Sequence, residues 1–250
     1  MTSPTPPSSP RVRSPRGSLV VAIDGPAASG KSSTAQWVAQ RLGFRHIDSG
    51  ALYRAATAVA LARAGESFDE ATVLTFVGEI SLHPVQHSFT PMWKGEPMEE
   101  LIRAPEVTRL VSRVAQMRGV RQWVDTSVRT AAEGRDVVVD GRDIGTVVFP
   151  EADLKVFLIA DPWERARRRL TQRHGRAPSD AEIADETERL VQRDARDATQ
   201  TVQAKDAILI DTTYLTQAEQ VERIVSLAGV FREGGSADGS AARGSEATDG

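Results

Sequence analysis

The sequence predicts an α/β fold with a parallel β-sheet of about five strands flanked by helices. Three observations support this fold class: five short apolar runs, helical patterns that separate them, and polar motifs that directly follow several of the runs. The predicted strands are residues 19–23, 44–47, 137–139, 154–159 and 207–210. Ligands of open α/β sheets bind beyond the carboxyl ends of the strands. Functional residues are therefore expected directly after the strands.

A glycine-rich phosphate loop follows the first strand. Residues 25–32 read Gly-Pro-Ala-Ala-Ser-Gly-Lys-Ser and match the pattern G-x-x-x-x-G-K-[ST]. Backbone N–H groups of such a loop, together with the dipole of the next helix, attract phosphate oxygens. Lys31 can reach the β- and γ-phosphates, and the Ser32 hydroxyl can bind Mg²⁺. The residues expected to bind a nucleoside triphosphate are Gly25, Pro26, Ala27, Ala28, Ser29, Gly30, Lys31, Ser32 and Ser33.

The context of this loop disfavours a chance Gly/Ser turn. A buried strand precedes it, and a helical pattern over residues 31–42 follows it. That helix is expected to end at Gly43, since glycine readily adopts the positive φ of a C-terminal cap. Strand, loop and helix are thus the elements that a phosphate site requires.

The second predicted strand leads into a helix with a cation near its start. Asp48 and Ser49 suit the N-cap, and the helical pattern covers residues 51–64. Arg54 lies one turn into this helix, where a positive charge opposes the helix dipole. The misfit favours a guanidinium that serves an anion, and an ordinary capped helix is the alternative.

The third predicted strand ends in two acids that flank an arginine. The segment Asp140-Gly141-Arg142-Asp143 lies where the sheet should present its ligand. One interpretation is a salt-bridged turn. The other gives Arg142 to a phosphate, with one acid helping to hold Mg²⁺ through water and the other contacting a base or a ring.

Residues 161–199 form an arginine-rich helical excursion between the last two predicted strands. N-cap signals at Asp161 and Ser179 start its two helices. The arginines that recur on one helical face are Arg189, Arg193 and Arg196. Such a pair of helices can close as a lid whose arginines stabilise a transferring phosphoryl group. A solvated surface hairpin is the alternative.

Three further segments depart from the alternation of strands and helices. Residues 78–102 carry short alternating runs around prolines, which predict a small antiparallel insert. Residues 1–18 are predicted to be a disordered basic arm, without the apolar core of a secretory signal. Residues 231–250 are rich in Gly, Ser, Ala and charge and are predicted to be a disordered tail.

Composition excludes several classes of function. The 250 residues include no cysteine, so neither disulfides nor thiolate metal sites are possible. No apolar run approaches the roughly 20 residues of a membrane helix. The formal net charge of −3 argues against general nucleic-acid binding. The four histidines have no metal-like spacing with acids, and no role is assigned to them.

Together these motifs resemble the bacterial cytidylate kinases, a family of P-loop nucleoside monophosphate (NMP) kinases. The similarity runs from about residue 19 to about residue 230. Its blocks are IDGPAASGKSS (23–33), IDSGALYRAA (47–56), GEPMEELIRAPEV (95–107), VDGRDIGTVVFPEADLKVFL (139–158) and DAILIDTT (206–213). The resemblance implies a cytoplasmic monomer that uses ATP and Mg²⁺ to convert CMP or dCMP to the diphosphate. Neither a membrane nor a nucleic acid is an expected partner.

The resemblance also implies roles for single residues. Lys31, Arg142 and Arg193 would be catalytic, with Ser32 on the metal ion. The implied CMP-binding residues are Asp48, Ser49, Tyr53, Arg54, Ser112, Arg121, Arg142, Asp143, Arg193 and Asp197. Ser112, Arg121 and Asp143 match residues that recognise cytosine, and the local pattern marks neither Ser112 nor Arg121. The NMP-binding region would span about 49–135, with the insert inside it, and the lid about 161–199.

The sequence departs from the family pattern in the lid and before the V-R pair. Gln200 stands where the family usually has an arginine, the S-P-L segment that follows is missing, and Gly119 replaces a proline. Gln200 can donate and accept hydrogen bonds but carries no charge. Two alternatives stay open: a kinase of UMP or another small acceptor, and a non-catalytic nucleotide-dependent regulator.

Overall fold

The computed structural model describes residues 18–233, and its centre is one mixed β-sheet. The strands are β1 (Val20–Asp24), β2 (Arg45–Asp48), β3 (Ile80–Val85), β4 (Ser88–Trp93), β5 (Glu96–Pro97), β6 (Val137–Asp140), β7 (Leu154–Ile159) and β8 (Ile208–Asp211). Their order is β3-β4-β2-β6-β1-β7-β8, and β5 pairs with β4. The five strands predicted from apolar runs are β1, β2, β6, β7 and β8, all parallel, which confirms the predicted fold class.

Helices fill the connections between the strands. They are α1 (Lys31–Leu42), α2 (Ser49–Ala64), α3 (Glu70–Phe76), α4 (Pro105–Val114), α5 (Arg118–Ala132), α6 (Pro162–His174), α7 (Asp180–Asp197) and α8 (Gln217–Glu233). Gly43 ends α1 at φ 72°, and the Asp48 side chain accepts a hydrogen bond from the Ala51 N–H to cap α2. Asp161 caps α6, and Ser179 forms the predicted capping box of α7.

The predicted antiparallel insert is present, but it is part of the main sheet. β3 and β4 form an antiparallel pair, and the turn from β4 to β5 places Lys94 and Gly95 at positive φ. β4 also pairs with β2 in parallel, at His46 and Ser88. The sheet therefore has eight strands in the described residues, where the apolar runs alone predicted five.

Parallel pairing brings three acidic residues to the same edge of the sheet. The register sets Asp140 of β6 opposite Ile23 of β1 and opposite Asp48 of β2. Asp24, the last residue of β1, lies one position further on. The carboxyl ends of β1, β2 and β6 thus form a common acidic edge where the phosphate loop begins.

Both faces of the sheet are buried at its centre. Val137 and Val139 pack into a cluster with α2, α4 and α5, whereas Val138 packs into a second cluster with α1 and α8. This alternation follows from the two-residue period of a strand, and the unbroken valine run is typical of a strand covered on both sides. A third cluster joins α6 and α7 to the phosphate loop through Ala27. The two predicted lid helices are thus anchored beside the phosphate loop.

The structure describes only a small part of the two segments that were predicted to be disordered. Residues 1–17 and 234–250, which contain most of both predicted arms, lie outside the described residues. Helix α8 continues to Glu233, so the first three residues of the predicted tail, 231–233, are helical. Within residues 18–233, no helix has the length and apolar character needed to span a bilayer.

Candidate active site

A cleft of about 1560 Å³ opens beyond the carboxyl ends of β1, β2 and β6. The residues of the predicted triphosphate loop that line it are Ala27, Ala28, Gly30, Lys31, Ser32 and Ser33. All ten residues of the predicted CMP-binding set line it as well. Gly25, Pro26 and Ser29 belong to the loop without lining the cleft. Residues from five separate segments of the sequence therefore meet in one cavity.

The phosphate loop curls where only small residues fit. Gly25 has φ 146°, and a Cβ atom there would fall 2.1 Å from the Leu158 carbonyl oxygen of β7. Gly30 adopts the left-handed conformation that starts α1. Ala28 also has a positive φ, 58°, which is unfavourable for a residue with a Cβ. The loop thus keeps a strained turn at the mouth of the cleft.

Lys31 lies inside this turn. Its Nζ donates to the Pro26 carbonyl oxygen at 2.6 Å, and the side chain is buried. Burial, with added repulsion from Arg142, holds the pKa of Lys31 well below its ordinary value, although Asp140 and Asp24 oppose the shift. A nearby phosphate would stabilise the charged ammonium, so this lysine is suited to a phosphate ligand.

Ser32 and Asp140 form an oxygen-rich pair next to Lys31. The Ser32 hydroxyl donates to Asp140 Oδ2 at 2.6 Å, and His46 Nε2 lies 2.6 Å from Asp140 Oδ1. Burial alone would raise the pKa of Asp140, but the hydrogen bond and charge of His46 lower it below its usual range. Asp48 lies close by, and burial together with Asp140 raises its pKa to about 6.

This donor set fits a magnesium ion brought by a nucleotide. Mg²⁺ prefers hydroxyl and carboxylate oxygens and often binds through one or two protein groups plus substrate phosphates. Ser32 and Asp140 supply such oxygens, on the phosphate-loop side of the cleft. In the described part of the chain, no cluster of three or more His, Cys, Asp or Glu residues is arranged to hold a metal. The geometry therefore suits a metal that arrives with phosphate.

Arginines from three elements gather in the same cleft. Arg54 of α2 donates to the Thr108 hydroxyl at 3.1 Å and forms no ion pair with a described carboxylate. Burial, with repulsion from Arg193, lowers the pKa of Arg54 to about 10. Arg142 donates to the Gly25 carbonyl oxygen, and Asp197 lies 3.8 Å from Arg142 and 3.6 Å from Arg193. Crowded guanidiniums with few carboxylates are an anion-binding arrangement.

Arg121 and Asp143 form an ion pair that also lines the cleft. Arg121 donates a further hydrogen bond to the Ala115 carbonyl oxygen, and its guanidinium lies 5.9 Å from the centre of the Tyr53 ring. Ser112 lines the cleft from α4. A fixed donor beside a fixed acceptor is the kind of pair that reads the edge of a nucleobase.

The predicted row of lid arginines is wrong in part. Arg193 lines the cleft, but Arg189 and Arg196 do not. The side chain of Arg189 is 72% exposed, and Arg196 donates to the Gln192 carbonyl oxygen of its own helix. Helix α7 packs against α6, and of the three arginines only Arg193 reaches the cleft. A shared helical face therefore did not give the three side chains equal access to it.

The missing lid cations come from α6. Its arginines that line the cleft are Arg168, Arg169 and Arg173. The buried carboxylate of Glu186 on α7 lies 2.9 Å from Arg169 and 3.7 Å from Arg173. The sequence shows a run of arginines in α6. Which of these arginines face the cleft depends on how α6 and α7 pack. Gln200 lines the cleft beside these helices, as its position after Asp197 requires.

The unusual glycine at position 119 has a structural reason. The Gly119 N–H donates to the Glu70 carboxylate of α3, a bond that a proline lacks. A Cβ atom at this position would fall 2.7 Å from the Leu74 Cδ1 atom. This departure from the family pattern therefore reflects the packing of α3 against α5.

Asp24 has a structural role that the sequence did not reveal. Its two carboxylate oxygens accept hydrogen bonds from the Ile144 and Gly145 N–H groups at 2.8 and 2.7 Å. The segment after Asp143 is thereby tied to β1, the strand that carries the phosphate loop. Burial raises the pKa of Asp24 to about 6, although both hydrogen bonds oppose the shift.

The raised pKa of Asp24 predicts a pH dependence of stability. Between about pH 4 and pH 6 the folded chain retains this proton and the unfolded chain does not, so the contribution to stability falls as pH rises through this window. The two pKa values differ by about 2 units, which corresponds to about 3 kcal/mol. Urea unfolding at pH 5 and pH 7 should show a smaller loss of stability in Asp24→Asn than in the wild type. Equal losses would contradict the assignment.

Comparison with known proteins agrees with this geometry. The family model "Cytidylate kinase" matches residues 21–229. Cytidylate kinase from Geobacillus kaustophilus (strain HTA426) is 43% identical over 216 residues, which cover 84% of this chain and 96% of that protein.

Two other comparisons set the limits of this similarity. A bifunctional pantoate ligase/cytidylate kinase from Synechococcus sp. (strain JA-3-3Ab) is 44% identical over 90% of this chain, which spans 42% of the length of that protein. Shikimate kinase from Bacteroides thetaiotaomicron aligns with a TM-score of 0.46 at 16% identity, over 86% of this chain and 98% of that chain. With the family model matching most of its length, this chain belongs to the cytidylate kinase family.

Proposed function

We propose that this chain transfers the γ-phosphoryl group of ATP to CMP or dCMP and produces ADP with CDP or dCDP. The observation that carries the proposal is the meeting, in one cleft, of a phosphate loop, a cluster of cationic side chains and a fixed donor–acceptor pair. An oxygen of the acceptor phosphate forms the new bond to the γ-phosphorus. The bond from that phosphorus to the β–γ bridging oxygen breaks, and its electron pair leaves with ADP.

The phosphate loop binds the donor. Its N–H groups and the start of α1 face the β- and γ-phosphates, and Lys31 exchanges the Pro26 carbonyl for a phosphate oxygen. Ser32 and Asp140 are the residues that would hold Mg²⁺. When bound, the ion neutralises charge on the donor phosphates. The loop thereby holds the donor phosphates in the orientation that the transfer requires.

The cleft arginines bind the acceptor phosphate and the transferring group. Arg54 forms no ion pair among the described residues and donates to the neutral Ile102 carbonyl and Thr108 hydroxyl, so it is available to an incoming phosphate. Arg142 and Arg193 share Asp197 and lie between the phosphate loop and the lid. No general base is needed, because the attacking phosphate oxygen is already ionised near neutral pH. Positioning and charge stabilisation therefore supply most of the rate enhancement.

Base selection is assigned to the ion pair of Arg121 and Asp143. Cytosine offers an amino donor beside a ring nitrogen and a carbonyl acceptor, which match the acceptor of Asp143 and the donors of Arg121. Ser112 and Tyr53 complete this part of the cleft. By resemblance to the family we also propose a cytoplasmic monomer, with Asp48 and Ser49 close to the acceptor nucleotide.

Product analysis tests this function. Purified chain with ATP, Mg²⁺ and CMP should form CDP and ADP in equal amounts, separated by anion-exchange chromatography. Formation of ADP with UMP but not with CMP would favour the alternative acceptor. Tight ATP binding without any diphosphate product from CMP, dCMP or UMP would favour a non-catalytic regulator and contradict the proposal.

Replacement of Gln200 tests the departure in the lid. Gln200 lines the cleft and carries no charge, so Gln200→Arg should add a charged donor near the nucleotide. We expect kcat/KM for CMP to rise by about threefold to tenfold, which corresponds to roughly 1 kcal/mol for one added charge-assisted hydrogen bond. Steady-state kinetics with CMP measure this effect. An unchanged kcat/KM would show that Gln200 is no deficit.

A further inference from the structure

His46 is a buried histidine to which the phosphoryl transfer proposed above assigns no step. It lies on β2 and is 5% exposed. Its Nε2 atom is 2.6 Å from Asp140 Oδ1, and Asp140 Oδ2 accepts the Ser32 hydroxyl at the same distance. A hydrogen-bonded chain therefore runs from β2 through the end of β6 to the first turn of α1.

The two hydrogen bonds of Asp140, to His46 and to Ser32, fix the plane of its carboxylate. A carboxylate accepts hydrogen bonds and donates none when ionised, so His46 Nε2 must be the donor. With Oδ1 held by His46, rotation about the last side-chain bond would break a short, buried hydrogen bond. Oδ2 is consequently directed at Ser32 and at the phosphate-loop side of the cleft.

His46 also opposes the repulsion between two acids. Asp48 lies two residues after His46 on the same strand and pairs in register with Asp140. The carboxylates of Asp48 and Asp140 repel each other. Without the imidazole donor of His46, the Oδ1 atom of Asp140 would lose its hydrogen bond while the carboxylate of Asp48 stayed nearby. An unpaired buried carboxylate oxygen is unfavourable, which favours rotation or protonation of the carboxylate.

We propose that His46 is a positioning residue that orients Asp140 for the nucleotide-bound magnesium ion. The proposal rests on the phosphoryl transfer proposed above and adds a group that acts through Asp140. Partners that orient a metal-facing ligand commonly change metal affinity by about 10- to 100-fold when they are removed. The same scale is expected here.

The alternative is that His46 only stabilises the fold. The structure separates the two roles, because the sheet pairing of His46 uses its main chain: its N–H donates to the His87 carbonyl oxygen at 2.7 Å. Substitution of the side chain leaves that bond available. The deciding readout is therefore the gain in nucleotide affinity that Mg²⁺ provides, which a general loss of stability does not change in a folded sample.

Calorimetric titration with ADP, in Mg²⁺ and in EDTA, tests the proposal on the whole chain. We expect His46→Leu to lose at least about tenfold of the Mg²⁺-dependent gain in affinity, with metal-free ADP affinity within about twofold of the wild type. His46→Gln places an amide donor close to the position of Nε2 and should restore most of the gain. The control is His83→Leu, an exposed histidine of β3, which should match the wild type.

Asp140→Asn distinguishes failure of the role of His46 from failure of the magnesium arrangement in the proposed function, and this binding readout is independent of CMP turnover. If Asp140→Asn loses the Mg²⁺ gain and His46→Leu keeps it, the role of His46 is overturned while the metal arrangement stands. If neither variant loses the gain, the assignment of Asp140 fails as well. Should His46→Leu not fold by circular dichroism, His46→Asn, whose shorter amide cannot reach Oδ1, gives the same comparison: loss supports the proposal, and retention overturns it.

Discussion

Lys31→Ala is expected to lower kcat for CMP phosphorylation by about 10³-fold. The Lys31 ammonium is the only lysine nitrogen that lines the cleft among the described residues. Loss of one well-placed cationic donor to a transferring phosphoryl group costs roughly 3–4 kcal/mol of transition-state stabilisation. Steady-state and single-turnover kinetics with saturating ATP and CMP measure this loss.

Lys94→Ala is the matched control for this prediction. Lys94 lies in the exposed turn between β4 and β5, over the Trp93 ring, and has no contact with the cleft. Its replacement should leave kcat unchanged. Circular dichroism and thermal unfolding should show that Lys31→Ala is folded, because burial lowers the pKa of Lys31 and its charge therefore does not favour the folded state. Activity near the wild-type value in Lys31→Ala would mean that the phosphate site is wrongly placed.

Arg142→Met is expected to lower kcat by about 10²- to 10³-fold, with a smaller change in the affinity for ATP. Arg142 joins the phosphate loop at Gly25 to the lid at Asp197, so in the proposed function its guanidinium would lie between donor and acceptor. A group at that position contacts charge that develops during transfer more than charge of the bound donor. The measurement is kcat and KM for both substrates.

Arg189→Met provides the control for Arg142→Met. Both substitutions remove one guanidinium, but Arg189 lies on the outer side of α7 and pairs with Glu186 at 3.6 Å. We expect its kinetic constants to stay within about twofold of the wild type. Equal losses in the two variants would indicate a general electrostatic effect on the lid, and would contradict a specific position for Arg142.

The local signals in the sequence were sufficient for the strands and the phosphate loop. Each apolar run predicted as a strand is a strand within one residue of the predicted bounds. The signal is clearest in β1 and β6, which are buried and are apolar up to their final aspartate, as is typical of parallel strands covered on both faces. The capping signals at Gly43, Asp161 and Ser179 also ended or started helices where expected. These features depend on neighbours within a few residues, which a single sequence contains.

Features that depend on distant segments were missed. The extension of the sheet by β4 rests on pairing between His46 and Ser88, and the clamp of Asp24 rests on Ile144 and Gly145. His46 had no informative spacing, because its partner Asp140 is 94 residues away. Spacing along a chain reports helical or strand neighbours, and it carries no information about contacts between adjacent parallel strands.

The orientation of the lid arginines also depends on contacts between distant segments, and the sequence did not predict it. A stripe of arginines on α7 predicted a row of closing cations, yet Arg193 alone of the three lines the cleft, and Arg169 and Arg173 of α6 line it instead. Glu186, buried between the two helices, pairs with both of these α6 arginines. The sequence therefore predicted that the lid is cationic, but the packing of two helices determines which cations face the nucleotide.

The proposed function requires that this chain phosphorylate CMP and dCMP in preference to other monophosphates. A coupled assay of ADP release with ATP and Mg²⁺, run against CMP, dCMP, UMP, AMP and GMP, tests it most directly. The arrangement of Arg121 and Asp143 predicts that kcat/KM for CMP and dCMP exceeds that for UMP, AMP and GMP by at least about tenfold, since a mismatched base leaves a buried polar group unpaired. Comparable turnover of UMP, or no turnover of any acceptor, would contradict the claim.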